Sequence, residues 1–136
     1  MTKRRAIYIQ QFSHSNPIPN AARIGSVVAS GLIRGVDPVT HALPPSLKGQ
    51  CIHMFSNIRH TIEAAGGSVD DIIKVTFWMS PLVREPINEE WTKMFPDAAT
   101  RPARQIMDAS MEPGVLAQCD FLAVISSGDA ATAGRL

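Results

Sequence analysis

Little in this chain suits a disulfide scaffold, a nucleic-acid surface or a membrane span. Cysteine occurs only twice, in neither a disulfide framework nor a zinc-ligand spacing, and Cys51 and Cys119 both read as buried thiols. Charged residues make up only 18% of the sequence, and the formal net charge is +1. The basic residues are scattered apart from Lys3-Arg-Arg5, so nucleic acid is not an expected partner. There is no long apolar run, and Ala6-Ile-Tyr-Ile9 gives way at once to Gln10-Gln11, too soon for the core of a signal peptide. A soluble cytoplasmic protein without membrane contact is expected. His53 and His60 lie seven apart and share a face of a predicted helix, but no third ligand of suitable spacing accompanies them, so no metal site is expected. His14 and His41 fall in loop-like contexts and carry no usable signal.

What is present is material for one core. Hydrophobic residues at 45% of 136 suit a single domain, which buries roughly two thirds of the surface its unfolded form exposes. We assign it to residues 1–126. Residues 127–136, mostly glycine, alanine and other small types, are expected to form a disordered tail. A surface this poor in charge suggests partial cover by partner subunits.

Along the chain, Ala6–Phe12 reads as a first strand, and Asn16-Pro-Ile-Pro-Asn20 breaks the pattern with two prolines that remove backbone donors. Arg23–Ile33, rich in valine, isoleucine and small residues, reads as one strand ending near Gly35-Val-Asp-Pro38. The clearest element is a helix. Pro44-Pro45-Ser46 supplies its start, Cys51, Ile52, Phe55, Ile58, Ile62 and Ala65 recur at helical spacing, and Gly66-Gly67 stops it. Ser68 and Asp71 have the spacing of a cap. In the strand Ile72–Met79, alternation puts Ile73, Val75, Phe77 and Met79 on one face and Ile72 and Trp78 on the other. A strand apolar on both faces is expected to be covered on both. Arg84–Phe95 is a second helix with Ile87, Trp91 and Met94 or Phe95 inward. Ala103–Ser110 and Leu116–Ile125 complete the sheet around a turn at Pro113-Gly114. The order gives an α+β domain with two helices packed on one sheet face.

The stretch Arg101-Pro-Ala-Arg-Gln105 places a fixed cation beside that sheet. A guanidinium stays charged at any working pH, and its planar fork of donors matches a carboxylate, so an arginine in an apolar setting points to an anionic ligand. The ordinary alternative is a solvated surface arginine. Strand alternation turns Arg104, Ile106 and Asp108 one way and Gln105, Met107 and Ala109 the other.

Several short pieces in a fixed order resemble the reactive intermediate deaminases, the Rid or YjgF family, from about Asn16 to Ile125. They are Ala29-Ser-Gly31, Asp37-Pro-Val-Thr40, Glu63-Ala-Ala-Gly66, Val69-Asp-Asp-Ile-Ile-Lys-Val-Thr76, Asn88-Glu-Glu-Trp91 before Phe95, and Pro102-Ala-Arg104. The resemblance implies a mixed sheet of chorismate-mutase-like fold, a homotrimer, and ligand clefts between neighbouring subunits. It implies hydrolysis of small imine or enamine acids to 2-keto acids and ammonia, with no cofactor and no metal. Arg104 would grip the substrate carboxylate, while Arg101 precedes the matched triplet and reads as a loop residue. Ser30, Asn88 and Ile106 join Arg104 in the substrate-binding set; for Ser30 the alternative is a hydroxyl bonded to its own backbone. Trp91 reads as core.

The chain departs from the family at its last strand. Deaminating relatives carry two glutamates there, the first positioning the attacking water, and this sequence has Gln118 and Asp120 at those places. Gln118 can orient a water through its carbonyl oxygen but cannot accept a proton as a carboxylate does. Asp120, on the same face, is either the base or the partner of a neighbouring cation or backbone donor. An aromatic residue that shapes the cleft in many relatives is replaced within Pro17-Ile-Pro19, where Ile18 has no role beyond lining. Two functions follow: a deaminase, or a trimer that binds a carboxylate metabolite without turning it over. A ribonuclease would show a paired acid and base near a basic track, and neither is visible.

Overall fold

The computed structural model describes residues 3–12 and 15–126; the expected tail at 127–136 and His14 lie outside the described residues. The chain runs through β1 (Arg5–Ile7), β2 (Ala21–Ile24), β3 (Val27–Ser30), β4 (Ile33–Arg34), α1 (Leu47–Ala64), β5 (Ile72–Met79), α2 (Glu85–Met94), β6 (Ala103–Asp108) and β7 (Ala117–Val124). The strands form one sheet in the order β1-β2-β3-β7-β5-β6, and β4 also pairs with β7. Among the described strands only β5 and β6, joined through α2, run parallel, so the sheet is mixed. The α+β class with two helices is as expected.

The two N-terminal strands depart from expectation for local reasons. β1 ends at Ile7, and Gln10–Phe12 forms a 3-10 turn instead. The Asn20 side chain supplies the partners a ladder would have given, accepting from Ile9 N at 2.8 Å and donating to Phe12 O at 3.2 Å. The expected single strand Arg23–Ile33 is three pieces. Gly25, at φ +58, turns the chain so that Ile24 faces Val27 across a two-residue loop, a conformation glycine adopts without a Cβ clash. β3 and β4 then follow the same edge of β7 with their registers offset by one residue. The extra residue is accommodated around Ser30-Gly31.

α1 begins as its sequence directs: the Ser46 hydroxyl accepts from Gly49 N at 3.0 Å, a contact worth about 1 kcal/mol. Two buried polar residues dock α1 onto the chain around it. Gln50 donates to Pro44 O at 2.8 Å and Gly114 O at 2.7 Å and accepts from Leu116 N at 2.9 Å. Asn57 donates to Arg34 O and Val36 O, both at 2.9 Å. Between them β4 is clamped so closely that a Cβ on Gly35 would lie 2.1 Å from Gln50 O.

β5 corrects the expected face assignment. Ile72 lies opposite Ala123 but Lys74 lies opposite Leu122, so a bulge at Ile73 shifts the alternation by one. Ile72 therefore joins Val75, Phe77 and Met79 on the buried face, while Ile73 is 49% exposed. That face packs against Met54, Phe55, Ile58 and Ile62 of α1 and Ile87 and Trp91 of α2, with Ala117, Cys119, Phe121 and Ala123 of β7 beside it. The other face carries Thr76, Trp78, Gln118, Asp120, Leu122 and Val124, and among the described residues no helix covers it.

Candidate active site

An aromatic chain runs through the core to Arg104. Phe55 stacks on Phe77 with centroids 5.6 Å apart, Phe77 meets the edge of Trp91 at 6.2 Å, and Trp91 meets Phe95 at 4.8 Å. Trp91 is thus core, as its helical position implies, and its ring also supports the Arg104 guanidinium, whose carbon lies 5.0 Å from the ring centroid. Asn88, one turn earlier on α2, accepts from Arg104 Nη2 at 2.6 Å. Ile106 lies on the same side of β6, opposite Phe77, and packs against the core. Arg104, Asn88 and Ile106 therefore gather on the helix side of the sheet, at its outer edge.

The other terminal nitrogen of Arg104, Nη1, is inaccessible to solvent and has no hydrogen-bond partner. An unpaired buried donor costs about 1 to 3 kcal/mol. Burial, and next to it the charge of Arg84, lower the Arg104 pKa from its ordinary value, yet a guanidinium remains charged at any working pH. The result is a cation held by Asn88 and Trp91, with no carboxylate paired to it among the described residues and a second cation nearby. Arg101 does different work: it donates to Phe95 O at 2.8 Å and to Pro96 O at 3.4 Å and so fastens the end of α2 to the entry of β6.

Gln118 and Asp120 lie on the opposite face. Asp120 stands across from Thr76, and Gln118 stands between Trp78 of β5 and Arg34 of β4. No described residue hydrogen-bonds or pairs with the Asp120 carboxylate. Burial raises its pKa above the ordinary value, with Lys74 pulling the other way. Arg34 was not singled out by sequence. Its pairing with Glu112 at 2.5 Å and its position beside Gln118 depend on contacts 78 and 84 residues apart, which no local pattern encodes.

Ser30 sits where the β3 ladder stops. Its hydroxyl accepts from Phe121 N at 2.8 Å and donates to Gly31 O at 2.9 Å, filling the gap before β4 takes over. Ser30→Ala is expected to leave Phe121 N unpaired and to destabilise the fold by about 1 to 2 kcal/mol, read as a lower melting temperature. Ile18 is 54% exposed.

The remaining candidates are accounted for by packing. Both cysteines are free and buried; burial pushes the Cys51 thiol up to about 12 and the Cys119 thiol up as well, which keeps them unreactive. His60 packs on Phe12, and His53 Nε2 lies 3.8 Å from Asp37 Oδ2. Asp37 itself caps the next turn, accepting from Val39 N at 2.8 Å, and this holds its pKa below the ordinary value. Among the described residues no group of three His, Cys, Asp or Glu side chains is placed to hold a metal ion, and no helix is long and apolar enough to cross a membrane.

A mixed sheet with two helices on one face, an arginine without a carboxylate partner among the described residues at its edge and polar groups on the other face make up a small α+β domain. Residues 7–125 match the family model described as Endoribonuclease L-PSP. The chain belongs to this family, the Rid or YjgF family that its motifs resemble. It is 32% identical over 100 residues to a 2-iminobutanoate/2-iminopropanoate deaminase of Salmonella typhimurium, covering 71% of this chain and 77% of that one. A RutC family protein of Aquifex aeolicus is 33% identical over 81 residues, 59% of this chain and 64% of the relative. Among solved structures, RidA from an Antarctic Psychrobacter superposes with a TM-score of 0.80 at 24% identity, covering 89% of this chain and 99% of that one. The Rid family protein YyfA of Yersinia pestis superposes at 0.82 with 18% identity, covering 90% and 100%; both show the shared fold.

Proposed function

We propose that this protein hydrolyses small imine or enamine acids to 2-keto acids and ammonia, in a homotrimer whose clefts lie between subunits. The observation that carries the reading is the half-buried Arg104 guanidinium, paired with no carboxylate among the described residues and held by Asn88 and Trp91. A substrate carboxylate accepts from the solvent-facing side of this guanidinium, and the half-buried setting strengthens the charge-assisted bond. The named activity of the Salmonella relative, on 2-iminobutanoate and 2-iminopropanoate, supports an acid of this size.

Arg104 and Asp120 occupy opposite faces of the same sheet, so one chain does not bring them to one substrate. In a trimer, the edge carrying Arg104 meets the bare face of a neighbour. That face exposes Val27, Leu122, Val124 and Met107 between 37% and 46%, apolar surface suited to cover by another subunit. In the resulting cleft Asp120 takes a proton from the attacking water, directly or through a second water, while the Gln118 carbonyl oxygen orients it. The water oxygen bonds to the imine carbon as the C=N pi bond opens, Asp120 returns the proton to the nitrogen, and the tetrahedral adduct breaks its C–N bond as its hydroxyl proton passes by the same carboxylate to the leaving nitrogen, giving the 2-keto acid and ammonia. Little catalytic power is needed beyond holding the acid and placing the water, because imines hydrolyse unaided.

The test is keto-acid formation from 2-aminoacrylate generated in situ, with semicarbazide competing for the imine. Acceleration over the protein-free reaction is expected. No acceleration, together with a melting temperature raised by a keto acid, would instead identify a carboxylate-binding trimer without turnover.

A further inference from the structure

The edge of the sheet farthest from Arg104 carries a second cluster of cations. Arg5 of β1 and Arg23 of β2 are direct cross-strand partners, so their side chains leave the same face; like charges placed opposite each other destabilise a ladder. With Lys3 and Gly25 they line a concavity of about 270 Å³, and among the described residues no acidic side chain lines it.

Arg23 is firmly fixed. Its Nε donates to Gly25 O at 2.7 Å and its Nη1 to Ala65 O at 2.6 Å. Gly66, at φ +95, makes room for it, because a Cβ there would lie 2.7 Å from Arg23 Nη1. These two bonds use two of five guanidinium donors, and Arg5 and Lys3 have no hydrogen-bond or ion-pair partner among the described residues. Charge on an edge strand also serves to discourage edge pairing. That role does not require a cation on β2 anchored to a helix end, nor the convergence of three cations on one hollow.

We propose that Lys3, Arg5 and Arg23 form an anion site for a small polyvalent phosphate such as a diphosphate group. A tetrahedral oxyanion between Arg5 and Arg23 turns their repulsion into a shared attraction and uses donors that otherwise face water. The site is independent of the Arg104 cluster, which lies at the other edge of the sheet.

Isothermal titration of the full chain with pyrophosphate, at ionic strength held constant with potassium chloride, tests this. The wild type is expected to bind, and the Lys3→Gln/Arg5→Gln double variant, which changes only exposed side chains, to bind about tenfold or more weakly. Arg104→Ala is expected to bind pyrophosphate as the wild type does. Absence of wild-type binding, or equal binding by the double variant, would overturn the proposal. So would binding of a short single-stranded RNA without binding of pyrophosphate, which would assign the cluster to a nucleic-acid track.

Discussion

Arg104→Ala is expected to lower kcat/KM for imine hydrolysis by roughly 30- to 150-fold, the equivalent of losing about 2 to 3 kcal/mol of charge-assisted hydrogen bonding to the substrate carboxylate. The loss falls on recognition of the acid, so KM for 2-aminoacrylate rises and a keto acid no longer raises the melting temperature. Stability moves little. The substitution removes the contacts to Asn88 and Trp91, but also a buried donor with no partner and a cation beside Arg84. Steady-state kinetics beside a thermal melt separate the two effects. Arg104→Lys keeps the charge but not the planar fork and is expected to recover only part of the activity.

Asp120→Asn is expected to lower kcat by about a hundredfold, within the range typical for removal of a general base, and to raise the melting temperature slightly at neutral pH. Burial raises the Asp120 pKa, so the folded protein holds this proton more tightly than the unfolded chain does. The stability this confers is full below the ordinary carboxylate pKa and is lost as pH rises through the raised value, leaving the ionised group unfavourable at neutrality. Catalysis runs the other way, since the base works only when ionised. Wild-type kcat should therefore fall as pH drops through the raised pKa, and the variant should lack that limb of the profile. Gln118→Glu adds a second carboxylate across from Arg34 and is expected to raise kcat on the order of tenfold.

The helices were legible because their signals are local. Ser46 and the glycines at 66 and 67 bound α1, and the inward stripe of α2 is Ile87, Trp91 and Phe95 as its spacing implies. The strand Ile72–Met79 was found to the residue, but its faces were not, because the Ile73 bulge is set by pairing with β7. The turn at Gly25-Ser26 lies inside a run of branched residues that reads as one strand, although glycine followed by serine is itself a hairpin signal. In the site, alternation put Arg104 with Ile106 and Gln118 with Asp120. Only the sheet registers show that the two pairs face opposite ways. Arg34 and the bed that Trp91 makes for Arg104 are products of tertiary contact and left no mark in the sequence.

Arg104 of one subunit and Asp120 of another are expected to serve the same substrate. The most direct measurement is the activity of trimers reassembled from an equal mixture of Arg104→Ala and Asp120→Asn chains, each expected to keep only a few per cent of wild-type activity or less alone. In a cyclic assembly each cleft draws its two residues from different chains, so about a quarter of the clefts regain both, and about a quarter of wild-type activity should return. A mixture that assembles yet stays as inactive as either parent would contradict the account.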